Sequence, residues 1–208
     1  MQANRDMIVE PVGLDVEALP RPLDWRQVFG NDHPVEMEIG SGKGTFLTDQ
    51  AKARPEVNFF GIEWANWFYR YAADRLRRNG CLNARVVRAE ALFFLNEFVP
   101  GASLSVLHVY FPDPWPKKRH HKRRLVQEPF LRQAERVLCA GGRLQVVTDH
   151  QGYFEENIEP VLKSSRILSV IEYNRPGSAA EGEFVGTNFE RKYRREGRPF
   201  YALAAVKK

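Results

Sequence analysis

The sequence predicts an α/β fold in which a mostly parallel, seven-stranded sheet carries helices on both faces. Short apolar runs alternate with longer amphipathic stretches from residue 35 to about residue 163, a spacing typical of parallel strands joined by crossover helices. After residue 167, two further apolar runs are joined by a loop without a full crossover helix. This ending predicts a C-terminal antiparallel hairpin at one edge of the sheet.

The individual elements follow from this alternation in chain order. The predicted strands cover residues 35–39, 57–62, 84–88, 104–111, 143–148, 167–173 and 200–206. The predicted helices cover about residues 45–53, 64–79, 92–98, 125–138 and 153–163, with Gly141–Gly142 interpreted as the stop signal of the fourth. Residues 174–186 are predicted to be a loop. Residues 1–34, which contain four prolines, are expected to form an N-terminal cap or flexible segment on a domain of residues 35–208.

The composition argues against several classes of protein. The 208 residues are 43% hydrophobic and 27% charged, which fits one globular domain. The N-terminus has no apolar signal-peptide core, and no apolar run approaches the ~18 residues of a membrane helix. Cys81 and Cys139 lack metal-type spacing, and His120 and His121 lack cysteine or paired acid partners. We therefore expect a cytoplasmic protein with no metal site and no membrane segment.

Positive charge is concentrated in one segment. Lys117–Arg124 contains six Lys/Arg and two His residues without an acid, and removing its six cations from the total of 31 leaves 25 basic against 26 acidic residues. Three alternating prolines precede this segment and hold Asp113 and Trp115 at the carboxyl end of a buried strand, the edge where open α/β sheets bind ligands. A solvated basic loop is the plain interpretation. The position favours an anionic polymer such as nucleic acid as the partner.

A glycine-rich turn follows the first predicted strand. A Walker A loop would need Ser or Thr after Lys43, where Gly44 stands, and a dinucleotide fingerprint would need a small residue where Thr45 stands. Glu38–Gly44 is instead a full Glu-x-Gly-x-Gly-x-Gly sequence, the first-strand motif of Rossmann-like S-adenosylmethionine methyltransferases. The motif alone is also compatible with a purely structural turn.

Acidic residues end the next two strands. Glu63 stands where a carboxylate can accept both hydroxyls of a ribose, and Glu90 stands where it can accept from an adenine amino group. Together with Glu38, they would place three carboxylates around a cationic sulfonium ligand. This pattern favours S-adenosylmethionine over a dinucleotide.

Over roughly residues 35–206 the chain resembles the bacterial single-chain tRNA (guanine-N7)-methyltransferase family. The resemblance is carried by Glu38–Gly44, Gly61–Glu63, Phe111–His120, Thr148–Asp149 and Thr187–Glu190. It implies a Rossmann-like class I S-adenosylmethionine-dependent methyltransferase fold. The implied reaction is methyl transfer from S-adenosyl-L-methionine to N7 of guanine 46 in the tRNA variable loop, with S-adenosyl-L-homocysteine as the second product.

The resemblance also implies roles for individual residues. The cofactor would be lined by Glu38, Gly40, Glu63, Glu90 and Asp113, and Asp113 would also be the catalytic carboxylate. The tRNA would be held by Lys117, Asp149, Thr187, Asn188, Phe189 and Glu190, the last four in a loop that orders on substrate binding. Family members often carry Asp or Asn where this chain has Glu90. The protein is expected to be a monomer or a homodimer.

Guanine N7 carries a lone pair and no proton, so the predicted reaction needs alignment and charge stabilisation but no general base. Asp149 could select guanine by accepting from its N1 and N2 donors, and Trp115 could stack on a base or simply pack in the proline loop. Two alternatives remain open. One is an N-methyltransferase that acts on exocyclic amines of RNA or DNA. Such enzymes carry an Asp-Pro-Pro-aromatic loop, and Asp113–Trp115 partly resembles it. The other is a non-catalytic RNA-binding module on the same fold.

Overall fold

The computed structural model describes residues 7–177 and 179–208. Its strands are β1 (Gly13–Leu14), β2 (Val35–Ile39), β3 (Asn58–Glu63), β4 (Ala84–Arg88), β5 (Leu104–Tyr110), β6 (Leu138–Thr148), β7 (Leu168–Ile171) and β8 (Tyr201–Lys207). Its α-helices are α1 (Trp25–Phe29), α2 (Thr45–Ala53), α3 (Asn66–Arg78), α4 (Ala91–Phe98), α5 (Glu128–Val137), α6 (Gln151–Tyr153), α7 (Glu159–Lys163) and α8 (Asn188–Arg195). A π-helical segment, Phe154–Ile158, joins α6 to α7, and 3-10 helices cover Val16–Ala18 and Lys118–Arg123.

The described strands form one sheet in the order β1-β4-β3-β2-β5-β6-β8-β7. Strands β1 to β6 run parallel to one another, whereas β8 is antiparallel to both β6 and β7. The predicted mostly parallel α/β fold is confirmed. The predicted count of seven strands is one short, because the two-residue strand β1 pairs with β4 and is too short to leave a pattern in the sequence.

Helices cover both faces because the central strands are apolar on both sides. Strands β2 and β3 are buried along their whole length. Phe59 and Phe60 are adjacent in β3 and therefore point to opposite faces of the sheet. Phe59 packs in a cluster with Leu47 of α2 and Leu76 of α3. Phe60 packs in the larger cluster that contains Phe94 of α4.

The N-terminal segment, expected to be a cap or a flexible stretch, is packed against the sheet over its described part. Leu23 and Phe29 are buried in the larger core cluster. Asp24 caps α1, since its Oδ1 accepts a hydrogen bond of 2.9 Å from the backbone N of Arg26. Residues 1–6 of the expected segment lie outside the described residues.

The interpretation of Gly141 and Gly142 as a helix stop signal is wrong. Helix α5 ends at Val137, and β6 begins immediately at Leu138, so that Gly141 and Gly142 lie within the strand. They sit at a register shift between β5 and β6. A Cβ on Gly142 would lie 2.9 Å from the carbonyl oxygen of Leu104, so the close approach of two backbones, and not a helix stop, explains that glycine.

Across the two described ranges, every helix is either too short or too polar to cross a lipid bilayer.

Candidate active site

A cleft opens along the carboxyl ends of the parallel strands, the edge predicted to bind ligands. It has two lobes of about 760 Å³ and about 470 Å³. Gly40, Phe68, Tyr110, Phe111 and Phe189 contribute to the walls of both lobes, so the two form one continuous cleft. The larger lobe also contains Glu63, Glu90 and Asp113, and the smaller contains Glu38, Thr187 and Asn188.

Glu38, near the end of β2, is buried with an unpartnered oxygen. Its side chain lies in the wall of the smaller lobe, and its Oε2 is buried without a hydrogen-bond partner among the described residues. The pKa of Glu38 is raised to about 8. Burial is the main cause and the negative charge of Glu63 adds to it, whereas a hydrogen bond from Ser41 lowers the pKa in part. A buried acceptor of this kind fits a ligand that brings a positive charge or a donor into the cleft.

The glycine turn packs tightly against the following helices. Gly40 and Gly44 have φ angles of 77° and 66°, which L side chains rarely adopt. At Gly44 space is also limiting, because an added Cβ would lie 2.9 Å from the Cβ of Ala72 on α3. The turn therefore leaves backbone, and not side chain, facing the cleft at Gly40.

Glu63 ties the glycine turn to β3. Its Oε2 accepts a hydrogen bond of 2.8 Å from the backbone N of Gly42, and its Oε1 accepts one of 2.8 Å from the N of Ala65. Each oxygen keeps a second acceptor position, because a carboxylate has about four lone-pair directions. Glu63 is thus fixed in orientation and is still able to accept hydrogen bonds from ligand hydroxyls. Its hydrogen bonds to the backbone of Gly42 and Ala65 could not be predicted from the sequence.

Glu90 is the N-cap of α4. Its two carboxylate oxygens accept from the backbone N of Leu92 at 3.1 Å and of Phe93 at 2.7 Å. The side chain lines the larger lobe and keeps spare acceptor positions, as Glu63 does. An acid directly before a helical stretch is a sequence signal for an N-cap, but Glu90 was predicted only as an adenine contact.

The proline loop holds Asp113 in a strained and pinned backbone. Phe111 and Trp115 have φ angles of 52° and 42°, a region that costs a non-glycine residue about 1–3 kcal/mol. Arg124 restrains the loop, since its Nε donates to the carbonyl oxygen of Pro114 at 2.9 Å. Asp113 is exposed in the larger lobe, and within the described part of the chain its carboxylate has no hydrogen bond or ion pair.

Arg124 differs from the rest of the basic segment. Its side chain is buried, lies 4.9 Å over the ring of Tyr153 and binds Glu156 and Asn157. The prediction that all of Lys117–Arg124 forms a phosphate-binding surface is therefore wrong at Arg124. The exposed cations of the segment are Lys117, Lys118, Arg119, Lys122 and Arg123.

Trp115 lies beneath this basic segment. The guanidinium of Arg123 is 5.0 Å from its ring centroid, and the His120 ring packs edge-on at 5.9 Å. Trp115 also lines the larger lobe and is half-buried, so both predicted roles, packing and stacking, fit its position. Lys117 precedes the 3-10 helix and lies outside the cleft walls, on the exposed surface.

Thr187–Glu190 starts a helix, which corrects the expected loop. Thr187 is the N-cap of α8, and its Oγ1 accepts from the backbone N of Glu190 at 3.1 Å. Glu190 is fully buried, and its carboxylate accepts from the backbone N of Val185 and of Gly186 at 2.8 Å each. This placement contradicts direct substrate contact by Glu190, since its oxygens point into the protein.

The two residues between them do face the cleft. Asn188 donates from Nδ2 to Oγ1 of Thr45 at 2.8 Å, which links α8 to α2. Phe189 is 45% exposed and lies between the two lobes. Thr187 is buried in the smaller lobe's wall. The Thr-x-x-Glu spacing was the available signal for a helix start.

Asp149 follows β6 and is already engaged. Its Oδ2 accepts from Nη1 of Arg198 at 2.7 Å, and the side chain is 13% exposed. Asp149 belongs to neither lobe among the described residues. The structure therefore brings Glu38, Glu63, Glu90 and Asp113 to one cleft and places Asp149 beside it, in an ion pair. Over the same described ranges, no cluster of three or more His, Cys, Asp or Glu side chains could hold a metal ion.

Comparison with known proteins identifies the family. A family profile described as "Putative methyltransferase" matches residues 32–203. The chain is 38% identical over 187 residues to the tRNA (guanine-N(7)-)-methyltransferase of Geobacillus sp. (strain WCH70), covering 88% of this chain and 84% of that protein. It is 38% identical over 181 residues to the enzyme of the same name from Listeria monocytogenes serotype 4b (strain F2365), covering 87% and 84%.

The chain belongs to the tRNA (guanine-N(7)-)-methyltransferase family.

Solved structures show the same fold at low sequence identity. The aminoglycoside resistance methyltransferase NpmB1 aligns with a TM-score of 0.61 and 17% identity, covering 88% of this chain and 92% of that one. Precorrin-6y C5,15-methyltransferase from Geobacter metallireducens GS-15 aligns with a TM-score of 0.58 and 15% identity, covering 86% and 81%. The predicted class I methyltransferase fold is confirmed.

In this member of the tRNA (guanine-N(7)-)-methyltransferase family, a buried polar network that was not predicted from the sequence lies behind the cleft. Tyr110, a wall residue of both lobes, bonds Nδ1 of His108 at 2.8 Å, and Nε2 of His108 bonds Glu36 at 3.0 Å. Burial alone would raise the pKa of Glu36, but hydrogen bonds from His108 and Arg54 lower it to about 2. The only signal was polar residues within apolar strands.

Proposed function

We propose that this chain transfers the methyl group of S-adenosyl-L-methionine to N7 of a guanine in tRNA, at position 46 of the variable loop, and releases S-adenosyl-L-homocysteine. Its relatives are named for the reaction on tRNA guanine N7. The observation that carries the proposal is Asp113, a carboxylate without an internal partner that opens into the same lobe as Glu63 and Glu90.

The residues of the cleft fit the cofactor. The unpartnered oxygen of Glu38 would face the cationic amino-acid end, against the backbone exposed by Gly40. The spare acceptor positions of Glu63 would take the ribose hydroxyls, and those of Glu90 would take the adenine amino group. When bound, the cofactor supplies an electrophilic methyl group on a sulfonium.

Asp113 would act on the charge that the reaction creates. Guanine N7 would take the methyl group with its lone pair as the bond from sulfur to the methyl carbon breaks, so a positive charge would arise on the imidazole ring of the base beside Asp113. No proton moves, so no general base is required. A carboxylate held by a pinned loop stabilises the new cation without first reorganising, which is the main advantage of a preorganised site.

The exposed cations beside the proline loop would bind the RNA backbone. Lys117, Lys118, Arg119, Lys122 and Arg123 form an exposed basic surface next to Asp113 and Trp115. Contacts between such side chains and phosphates supply sequence-independent affinity that weakens as salt is added. Trp115 would add base stacking, which is common in the recognition of unpaired RNA bases.

Phe189 and Asn188 would close the site from the side of α8. Both residues lie in the wall of the smaller lobe, and Asn188 is held to α2 through Thr45. Glu190 would contribute indirectly by fixing the backbone before the helix. We also expect the protein to act on tRNA in the cytoplasm, as a monomer or as a homodimer.

The test is transfer of a labelled methyl group from S-adenosyl-L-methionine to unmodified bulk tRNA, followed by nucleoside analysis. The expected product is N7-methylguanosine. It should form far more slowly when Asp113→Asn replaces the wild type, and it should be absent when guanine 46 is replaced in a single transcript. A methyl group on an exocyclic amine would instead identify the alternative N-methyltransferase. Cofactor binding without transfer to any RNA would identify a non-catalytic module.

A further inference from the structure

Arg198 forms an ion pair with one carboxylate oxygen of Asp149 and packs over the aromatic ring of Tyr193. It lies in the turn between α8 and β8, and its Nη1 donates to Oδ2 of Asp149 at 2.7 Å. Its Nη2 forms an ion pair with Oε2 of Glu196 at 2.7 Å. The guanidinium carbon is 4.2 Å from the ring centroid of Tyr193. The planar guanidinium is therefore bound to Asp149 through one N–H and packs with its face over a tyrosine.

A guanine base could make the same two contacts. The guanidinium presents adjacent coplanar N–H donors, and the Watson–Crick edge of guanine presents N1–H and N2–H donors in a similar arrangement. Both groups also stack on aromatic rings. Adenine carries a donor and an acceptor on that edge, so it cannot replace a guanidinium at a carboxylate.

Tyr193, on which Arg198 packs, also contacts two residues of the cleft wall. Tyr193 packs edge-on against Phe111 at 6.0 Å, at the start of the proline loop. It also packs against Phe189 at 6.2 Å, between the two lobes. Burial, followed by the charge of Asp149 and then, more weakly, that of Asp113, raises the pKa of Tyr193, so both carboxylates act on the same phenol.

We propose that Arg198 occupies the guanine-edge position in the substrate-free protein and that the substrate base must displace it to reach Asp149. This inference rests on the proposed function and adds a positioning residue to it. Arg198 is 43% exposed and retains Glu196 as a partner after displacement, so the exchange needs a side-chain rotation and no movement of the sheet. Arg198 therefore raises the KM for guanine substrates while leaving the methyl-transfer step alone.

The first experiment measures binding of guanosine 5′-monophosphate and adenosine 5′-monophosphate to the wild type and to Arg198→Ala by calorimetry. We expect the guanine nucleotide to bind about two- to five-fold more tightly to the variant, the range for loss of one solvent-accessible ion pair. Adenosine monophosphate should bind equally to both proteins. Equal or weaker guanine binding by Arg198→Ala would overturn the proposal. This readout needs no turnover, so it stands even if the proposed reaction fails.

The second experiment separates kcat from KM on tRNA. Arg198→Ala should lower KM about two- to five-fold with kcat unchanged, and Arg198→Lys, which keeps the charge without the planar donor pair, should lower it less. Arg166→Ala is the charge-matched control, since Arg166 is exposed, lies outside both lobes, and its removal takes away a cation without freeing Asp149. A raised KM in Arg198→Ala would mean that the guanidinium contacts RNA and would refute displacement.

Discussion

Glu38 gives the protein a pH dependence that the structure predicts in sign and size. In the free protein its pKa is raised to about 8, because the carboxyl is buried and one oxygen has no partner among the described residues. A cationic ligand group beside it would favour the ionised form and bring its pKa down to the ordinary range or below. Cofactor binding should therefore release a proton from Glu38 whenever the pH is below about 8.

The magnitude follows from linkage between the two equilibria. With a pKa of about 8, roughly 3% of Glu38 is ionised at pH 6.5 and about 75% at pH 8.5. The affinity for S-adenosyl-L-methionine should thus rise roughly 25-fold over this interval, or about 2 kcal/mol. The α-amino group of the ligand itself titrates near pH ~8, so the wild type alone would not isolate the effect.

The control is Glu38→Gln, which keeps the shape of the side chain and cannot ionise. Dissociation constants are measured by calorimetry for both proteins at pH 6.5, 7.5 and 8.5, and their ratio cancels the titration of the ligand. We expect the affinity of the wild type, relative to that of the variant, to rise roughly 25-fold from pH 6.5 to 8.5. A ratio that stays constant with pH would falsify the reasoning, because it would mean that Glu38 is already ionised in the free protein.

The same residue makes a prediction without any ligand. The folded-state pKa of Glu38 lies above the ordinary value of 4.5, so its contribution to stability is fully present below about pH 4.5 and is lost as the pH rises through 8. The Tm of the free wild type should therefore fall relative to that of Glu38→Gln between pH 5 and pH 8. This result would locate the pH dependence in the protein and not in the cofactor.

Three further predictions separate catalysis, RNA binding and folding. Asp113→Asn should lower kcat by about 100-fold or more while tRNA affinity in a filter-binding assay changes little, and an equal loss of both would contradict its catalytic role. Lys122→Ala combined with Arg123→Ala should flatten the plot of log affinity against log salt by about 1.5. Arg124→Met should instead lower the free energy of unfolding by about 1–3 kcal/mol, since it removes the hydrogen bonds of Arg124 to Pro114, Glu156 and Asn157. Glu190→Gln should cost about 1–3 kcal/mol in urea unfolding with kcat/KM on tRNA nearly preserved, and a large loss of activity in the folded variant would restore Glu190 to the substrate site.

The parallel sheet and its ligand edge were predictable because their signals are local. A strand such as β5 is buried on both faces, so it appears as an almost continuous apolar run. The acids at or just after the ends of β3 and β4 lie at one edge of the sheet once the strands are parallel. The glycine turn after β2 was recognisable from spacing alone. For these features, a few neighbouring residues determine the outcome.

Features that depend on distant partners could not be predicted. Arg124 is the last cation in a continuous basic run, and only Glu156 and Asn157, more than thirty residues away, show that it turns inward. Gly141 and Gly142 looked like a helix stop because the neighbouring strand that crowds them is absent from the local sequence. Burial and close backbone approach are tertiary properties, and they reversed both interpretations.

The positions of the site's carboxylates match the movement of charge in the proposed reaction. Glu63 and Glu90 each bond backbone N–H groups, and Asp149 is paired with Arg198, so these three are already partly compensated within the protein. In the described structure, Oε2 of Glu38 and the carboxylate of Asp113 lack such partners. Methyl transfer moves one positive charge from the cofactor to the base. Glu38 would become ionised as the cationic amino-acid end of the cofactor binds beside it, whereas Asp113 would lie next to the base that becomes cationic. The charge of Glu38 would therefore serve cofactor binding, and the carboxylate of Asp113 would serve the methyl-transfer step.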